Sequence, residues 1–253
     1  MDARVLEVCC GSAGFAIEAE AAGAGRVELC DNLVEGGTTP SAGAIEMTVR
    51  RLAIPVMVMI RPRGGDFLYS GAEVDVMLTD IEEARRRGAH GVVFGALSAD
   101  GSVDRAITEE LIAAARPLAV TFHRAFDLSR DLEASLDVLM EIGVDRVLTS
   151  AGCASVVEGL EALARLTERA GDELTVLPGG GIRPDNVSRV LGVPGIREIH
   201  LGASRRVASG MRYRVEGVPM GSAYEPDEYL VEAADVQRVS GVVQAMTVGD
   251  RTP

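Results

Sequence analysis

Eight short apolar runs alternate with amphipathic stretches along this chain, and this alternation restricts the possible folds more than any other feature. The runs predict strands over Val5–Cys9, Arg26–Cys30, Val56–Arg61, Gly91–Gly95, Leu118–His123, Arg146–Thr149, Leu174–Leu177 and Arg197–Leu201. The stretches between them predict helices over Ala13–Ala22, Ile45–Leu52, Glu73–Arg87, Glu109–Ala115, Leu132–Ile142, Val156–Ala170 and Asp185–Leu191. Strands that alternate with helices form parallel βαβ units. Because eight strands fit the 253 residues, the pattern favours a closed α/β barrel, the (β/α)8 TIM type, over an open doubly wound sheet.

A glycine ends the helical stretch before each even-numbered strand, at Gly23, Gly88, Gly143 and Gly195. The residue that follows a helix often takes a left-handed conformation, which glycine adopts without steric cost. The repeat divides the chain into four quarters of two strands each, as expected of an eightfold barrel.

The pattern weakens after the eighth strand. Residues Ser204–Tyr224 are rich in Gly, Arg and Ser and predict a loop over the end of the barrel, and Glu228–Val243 predicts a last helix that closes the ring. The tail Met246–Pro253 is expected to fray. Since no linker or low-complexity tract interrupts the chain, we expect residues 1–253 to form a single barrel domain with this extra C-terminal loop and helix.

The charge of the chain limits its partners. It carries 25 basic and 38 acidic residues, which give a formal net charge of -13. Nucleic-acid and anionic-membrane binding depend on a positive surface, so neither partner is expected. Every basic residue apart from histidine is arginine, which excludes the Schiff-base chemistry of lysine-dependent barrel aldolases. No feature of the sequence implies an organic cofactor.

The N-terminal residues do not form a charged-then-apolar leader, and no apolar run approaches the length of about 18 residues that spans a bilayer. We therefore expect a cytoplasmic protein. In that compartment the four cysteines, Cys9, Cys10, Cys30 and Cys153, are expected to be thiols rather than disulfides.

A period of two along the strands separates outward-facing from inward-facing side chains. In Leu118–His123, for example, alternate apolar residues face the helices, which leaves Ala119, Thr121 and His123 facing inward. The same argument applied to the other strands collects a polar set inside the barrel, towards the ends of the strands where TIM barrels carry their active sites. This set is Glu7, Cys9, Glu28, Cys30, Met59, Arg61, His123 and His200.

Two of these residues suggest a metal site. Cys9 and Cys30 end adjacent parallel strands, which lie about 5 Å apart. Two thiolates at that separation can hold a soft ion such as Cu(I), and Met59 can add a thioether. The alternative is that both are ordinary buried cysteines that pack as small hydrophobic residues. Cys10 must point away from Cys9, towards the helices.

Four residues are candidate acid/base groups: Glu7, Glu28, His123 and His200. Asp127 or Glu198 could orient the histidines. The alternative is a structural network of glutamate and arginine that fills the lumen, because a lone buried charge needs a partner.

A further set of residues suggests an anion site. Arg61, Arg63 and Asp66 lie in a loop with two glycines, and two arginines on such a loop can clamp a carboxylate or phosphate. Gly180, Gly181 and Ser204 follow the seventh and eighth strands, where barrels commonly bind phosphate. Two further binding candidates, Arg124 and Asp127, cluster at the end of the fifth strand. An ordinary surface loop remains the alternative for the arginine pair.

Several stretches resemble the CutC copper-homeostasis family. They are LEVC at 6–9, RVELC at 26–30, EGGTTPS at 35–41, PVMVMIRPRGGDFLYS at 55–70, VFGAL at 93–97, VTFHRAFD at 120–127, RVLTS at 146–150, PGGGI at 178–182 and SGMR at 209–212. The resemblance implies a cytoplasmic (β/α)8 barrel linked to copper tolerance or trafficking, with Cu(I) binding proposed for some members. The family's proposed copper cysteines correspond to Cys9 and Cys30. The chain departs from its relatives at Cys10-Gly11, where they often carry a hydrophobic residue and then Asp.

Three hypotheses follow. The first is a copper-homeostasis protein in which Cys9 and Cys30 hold Cu(I). The second is an enzyme that acts by acid/base or metal-assisted chemistry on a small anionic metabolite, which could be phosphorylated, held by Arg61, Arg63, Gly180 and Gly181. The third is a scaffold whose partner is another subunit, and the sequence leaves a homodimer open. Neither an enzymatic nor a non-enzymatic role follows from the sequence alone.

Overall fold

The computed structural model describes residues 4–215, 217–218 and 228–248. Eight parallel strands form its centre: β1 (Val5–Cys10), β2 (Arg26–Leu29), β3 (Val56–Met59), β4 (Gly91–Phe94), β5 (Ala119–Phe122), β6 (Arg146–Thr149), β7 (Thr175–Pro178) and β8 (Glu198–Gly202). The helices around them are α1 (Ala13–Ala21), α2 (Ala42–Arg51), α3 (Gly71–Arg86), α4 (Arg105–Ala115), α5 (Leu132–Glu141), α6 (Leu160–Ala170), α7 (Val187–Leu191) and α8 (Val236–Val248).

The strands follow one another around a nearly closed barrel. Hydrogen-bonded neighbours run in the order β7-β6-β5-β4-β3-β2-β1-β8, and β7 and β8 lie against each other to complete the ring. The predicted (β/α)8 fold is confirmed. The register places His200 beside Glu7, and both Glu28 and Gly202 beside Cys9. Three strands therefore bring their polar ends to one side of the barrel mouth.

Buried side chains divide into two clusters, as the period of two predicts. The larger lies between the strands and the helices and includes Val8, Cys10 and Val27. The smaller lies inside the barrel, where Cys30, Met57, Met59 and Val93 pack together and where Cys9, Leu33 and Ala119 adjoin them. The Cys10 thiol is fully buried in the outer cluster, so its predicted orientation away from Cys9 is confirmed.

The glycine repeat marks helix ends as expected at Gly23, Gly88 and Gly143, whereas Gly195 lies in a turn beyond α7, which ends at Leu191 with Gly192 as its C-cap. Gly23, Gly88, Gly143 and Gly195 have φ angles of 102°, 82°, 78° and 85°. A residue with a β-carbon would be strained at these angles. Each glycine reverses the chain just before an even-numbered strand.

Helix boundaries differ from the predicted ones where polar caps decide them. α2, α3 and α4 begin two to four residues earlier than predicted because Ser41, Ser70 and Asp104 each accept a hydrogen bond from the first turn. α6 begins later, at Leu160. Caps depend on side-chain hydrogen bonds rather than on the apolar period, which is why the period alone misplaces these ends.

The C-terminal prediction is wrong in two places. Ser204–Ala208 forms strand β9 and Leu230–Ala234 forms strand β10, and the two pair antiparallel. The expected loop therefore begins as a strand, and the expected helix begins only at Val236. Alternation over five residues is too short to distinguish from an amphipathic loop or helix by sequence. Residues 216 and 219–224 of the predicted loop lie outside the described residues.

α8 continues past the predicted start of fraying. Met246 is 6 % exposed and packs into the outer core, which explains the continuation. Residues 249–253 of the predicted tail lie outside the described residues. Among the helices of the described part of the chain, none is both long and apolar enough to cross a membrane.

Ser70→Ala is expected to destabilise the protein by about 1 kcal/mol, because it removes a capping box. The Ser70 hydroxyl accepts from the amide of Glu73, and the Glu73 carboxylate accepts from the amide of Ser70 at 2.7 Å. Urea unfolding measures the difference. Ser240→Ala is the matched control, since Ser240 lies within α8 and bonds only to carbonyls of its own helix. An equal effect of the two changes would contradict the assigned role of the cap.

Candidate metal centre

The carboxyl ends of β1, β2 and β8 bring two thiols, two carboxyl groups and one imidazole together inside the barrel mouth. These groups belong to Glu7, Cys9, Glu28, Cys30 and His200. Each occupies an inward position of its strand, or the residue directly after it. The sequence parity that predicted this cluster is confirmed in its geometry.

The two thiols form a pair. The Sγ atoms of Cys9 and Cys30 lie 3.8 Å apart. Cys30 is 1 % exposed, whereas Cys9 is half-buried and faces the opening. The hydrogen bond from Cys30 lowers the pKa of Cys9 to about 5, against the opposing effect of burial. The same hydrogen bond, together with burial, raises the pKa of Cys30 well above its usual range. At neutral pH the pair is one thiolate that accepts from one thiol.

His200 lies between the carboxyl groups of Glu7 and Glu28. Its Nδ1 is 2.8 Å from Oε1 of Glu7, and its Nε2 is 3.9 Å from Oε2 of Glu28. The imidazole also acts on Cys9, whose pKa it helps to lower. Burial opposes a charge on His200, but the neighbouring Glu28, Cys9 and Glu7 groups raise its pKa well above the usual value.

Within the described part of the chain, Glu28 is the member of the cluster whose carboxyl group has a buried oxygen without a hydrogen-bond partner. Burial raises the pKa of its carboxyl group well above the usual value, and the Cys9 thiol adds to the effect. Oε2 lies 3.5 Å from the Sγ of Cys30. Oε1 is buried and has no hydrogen-bond partner among the described residues. A buried carboxylate oxygen without a donor is costly and calls for an explanation.

Below this cluster lies a chain of ion pairs that the sequence reasoning missed. The Arg26 guanidinium bonds to Glu7 through Nε and to Glu198 at 2.6 Å, and Arg146 bonds to Glu198 at 2.7 Å. Burial tends to raise the pKa of Glu7, but Arg26 and His200 outweigh it and lower the pKa to about 2. Arg26 could have been found, because it shares the inward parity of Glu28.

The orienting residues differ from the expected ones. Glu198, the predicted partner of His200, bonds only to arginines, and Glu7 orients the ring instead. The physical reason is register: His200 lies directly beside Glu7 on the neighbouring strand. The Asp127 carboxylate accepts from Arg124, Thr149, Ser150 and Gly152, and no bond from it to His123 is found in the described structure.

Arg61 holds the loop that covers Cys30. Its guanidinium donates to the carbonyls of Glu35 and Gly37 at 2.7 and 2.9 Å and to Gly65 at 2.9 Å. Gly37 has a φ of 92°, and a β-carbon there would lie 3.1 Å from the Cys30 Sγ. Nη1 and Nη2 of Arg61 donate to these carbonyls, whereas its Nε is buried and has no partner among the described residues. The predicted part of Arg61 in an anion clamp stays a prediction.

Arg63 and Asp66 lie outside the mouth cluster. Arg63 donates to Glu73 at 2.5 Å and to the carbonyls of Asp66 and Leu68, while its charge pairs with the Asp66 carboxylate at 3.1 Å. The guanidinium also lies over the ring of Tyr69. The anion clamp predicted for this pair is untested.

His123 is separate from His200. Its Nδ1 accepts from the amide of Ala125 at 3.2 Å, and its ring packs against Phe67. Nε2 is buried and has no partner among the described residues. Burial, followed by repulsion from Arg61, lowers the pKa of His123 to about 3. The ring is neutral at physiological pH, and its predicted acid/base role is untested.

The remaining anion candidates surround the ends of β5 to β8. Arg124 donates to Asp127 and to Ser150, both at 2.7 Å, and lies beside Gly180. Gly181 packs against Ser155, and Ser204 is exposed at the start of β9. These positions are close to the expected ones, and their predicted role in anion binding stays a prediction.

Two overlapping sets of donors could hold a metal ion. One comprises Cys9, Glu28 and Cys30, and the other comprises Glu7, Glu28 and His200. Within each set the candidate ligand atoms all lie within 4.8 Å of one another. Glu28 is common to both.

Comparison with known proteins identifies the family. The CutC family model matches residues 4–205. A CutC family protein of Chromobacterium violaceum is 50 % identical over 243 residues, which are 96 % of this chain and 98 % of that protein. The human copper homeostasis protein cutC homolog is 47 % identical over 235 residues, 93 % of this chain and 86 % of that protein. The crystal structure of CutC from Streptococcus agalactiae has a TM-score of 0.75 at 33 % identity and covers 78 % of this chain and 97 % of its own. This chain belongs to the CutC family.

Proposed function

We propose that this protein binds Cu(I) through the thiolates of Cys9 and Cys30 and that this binding serves copper homeostasis. The observation that carries the proposal is the pair of free thiols, 3.8 Å apart at the barrel mouth. Relatives from mouse and human, each 47 % identical, are named copper homeostasis protein cutC homolog. Their names support the assignment of the same role to this chain.

The chemistry of the pair suits a soft ion. Thiolates prefer Cu(I) to harder cations, and a thioether is a further soft donor. Met59 packs in the same inner cluster as Cys30, so a thioether is close to the pair. Cys9 is half-buried at the opening, which lets a copper donor or acceptor reach one ligand while Cys30 stays enclosed. This arrangement suits an ion that is taken up and passed on as cargo.

The proposal includes a cytoplasmic location. Two close thiols would oxidise to a disulfide in an oxidising compartment, whereas the cytosol keeps thiols reduced. The four cysteines are free in the structure. Fractionation of the native host cells, followed by thiol labelling of the recovered protein, would test both the location and the redox state.

Anaerobic competition with a Cu(I)-specific chelator tests the proposal. Wild type is expected to retain one Cu(I) per chain against the chelator, and Cys9→Ser combined with Cys30→Ser is expected to retain none. Cys10→Ser combined with Cys153→Ser is the matched control, because it also removes two thiols but neither lies in the pair. Equal copper retention by the two double variants would refute the proposed ligands.

Gly37→Ala is expected to weaken Cu(I) binding, whereas Gly36→Ala is not. Both glycines have positive φ angles, of 92° and 85°, so both changes cost about 1–2 kcal/mol of backbone strain. Only at Gly37 would the new methyl group press on the Cys30 thiol. At Gly36 the nearest neighbour is Arg61, at 3.6 Å. Chelator competition beside urea unfolding separates the two effects, and equal copper affinities would show that the loop does not restrict the site.

A further inference from the structure

We propose that the mouth cluster is also a four-coordinate site for a divalent ion of the zinc class, with Cys9, Cys30, Glu28 and His200 as ligands. The inference rests on the proposed copper function only in the two thiols that the ions would share. It adds two ligands that Cu(I) binding does not require and assigns a ligand to the buried Glu28 carboxylate.

Three of the six separations between the donor atoms can be compared with those of a tetrahedral site. Zn–S bonds of about 2.3 Å and Zn–O and Zn–N bonds of about 2.1 Å place tetrahedral S···S pairs about 3.8 Å apart, S···O pairs about 3.6 Å and O···N pairs about 3.4 Å. The corresponding separations here are 3.8 Å for Cys9–Cys30, 3.5 Å for Cys30–Glu28 and 3.9 Å for Glu28–His200. The four donor atoms are not all within 4.8 Å of one another, because His200 groups with Glu7 and Glu28 and not with the two thiols. Binding therefore requires the His200 ring to move towards the sulfurs.

Glu28 supplies an independent indication of a missing ligand. Its side chain is almost fully buried, yet Oε1 has no hydrogen-bond partner among the described residues. No arginine bonds to this carboxylate in the described structure, although Arg26 bonds to the neighbouring Glu7. A cation bound to this carboxyl group would give Oε1 the partner that it lacks.

His200 is held as metal-bound histidines are held. Such a histidine donates its second ring nitrogen to a carboxylate or carbonyl, which fixes the tautomer and orients the ring. Nδ1 of His200 lies 2.8 Å from Glu7, and Glu7 is in turn bound by Arg26. This support directs Nε2 towards Glu28.

The ligand set distinguishes the two ions. Zinc accepts sulfur, nitrogen and oxygen together and is four-coordinate in closed sites. Cu(I) is selected by soft thiolate and thioether ligands and needs no carboxylate. The carboxylate and imidazole therefore matter for the divalent ion and contribute little to Cu(I). A site of two thiolates, one imidazole and one carboxylate would make zinc a competitor for copper at this mouth.

Titration with Zn(II), and with Co(II) as a spectroscopic substitute, tests the inference on the intact protein. Wild type is expected to bind one Zn(II) per chain, and Co(II) is expected to show the intense d–d bands of a tetrahedral ion with a thiolate charge-transfer band. Glu28→Gln and His200→Gln are each expected to weaken Zn(II) binding at least as much as the 10–100-fold loss typical of supporting residues. Cu(I) affinity is expected to change less than about tenfold, since the thiols remain.

His123→Gln is the matched control, because it changes a second buried histidine of the barrel that lies outside the cluster. Thermal unfolding checks that each variant is folded. The Co(II) spectrum of wild type tests the geometry of the site without any substitution. Octahedral Co(II), or wild-type Zn(II) affinity in both Glu28→Gln and His200→Gln, would overturn the inference. If the protein binds copper but not zinc, the proposed copper function stands and the zinc site is wrong. If it binds zinc but not copper, the zinc site stands and the proposed copper function is wrong.

Discussion

Arg26→Met is expected to lower the free energy of unfolding by about 3–5 kcal/mol, the cost of leaving a buried charge without its partner. Glu7 is fully buried; Arg26 is its permanently charged partner, and His200 is the other group bonded to it. Because methionine has a similar length and keeps the apolar contacts of the side chain, the loss of stability measures the effect of removing the charge. Urea unfolding near neutral pH, followed by circular dichroism, measures the difference.

Two variants control this prediction. Arg146→Met removes an arginine of the same network but leaves Glu198, which is less buried than Glu7, paired with Arg26. We expect a smaller loss there. Glu7→Gln in the Arg26→Met background is expected to restore part of the stability, because the amide carries no charge and can still accept from His200. An equal loss of stability in Arg146→Met and Arg26→Met would contradict the prediction that buried Glu7 depends specifically on Arg26.

The pH dependence of stability follows from the pKa shift of the same buried residue, Glu7. The pKa of Glu7 falls from 4.5 to about 2 on folding, so its ionised form stabilises wild type above the unfolded pKa. That contribution is lost as the pH falls from about 4.5 to about 2. Without Arg26, His200 alone opposes the effect of burial on the pKa of Glu7, so the ionised form stabilises the fold less. The deficit of Arg26→Met relative to wild type should therefore shrink as the pH falls from about 4.5 to about 2.

Strand parity predicted much of the candidate site because side-chain direction is a local property. Cys9 and Glu28 lie on different strands, yet each is assigned to the lumen by its own neighbours in sequence. Parity also assigns Arg26 to the lumen, although Arg26 was not among the predicted site residues. The bonded pair of Arg26 and Glu7 joins adjacent strands at matching positions, which only the register reveals.

Other contacts could not be read from the sequence. Glu7 and His200 meet because β1 pairs with β8, and the register of strands so far apart in the chain is set by closure of the whole barrel. Arg61 points inward as predicted, but its partners are carbonyls of a loop whose shape depends on tertiary contacts. The β9–β10 pair was missed for a related reason, since its two short strands stabilise each other and neither has a distinctive pattern alone.

Cu(I) affinity is expected to rise about tenfold, or about 1.4 kcal/mol, for each unit of pH across the neutral range. The low pKa of Cys9, about 5, means that this thiol is already ionised there, whereas Cys30 keeps its proton because its pKa is raised. Binding by two thiolates then releases one proton per copper, which comes from Cys30. Anaerobic chelator competition at several pH values measures the slope, and an indicator dye in weak buffer counts the proton.

Cys30→Ser is the control for this pH dependence, because serine can still donate to the Cys9 thiolate but does not ionise near neutral pH. The variant is expected to bind Cu(I) more weakly than wild type and with almost no dependence on pH. A hundredfold rise per pH unit in wild type would mean that both thiols are protonated, and no rise would mean that both are ionised. Only the intermediate slope agrees with one thiolate and one thiol sharing a hydrogen bond at 3.8 Å.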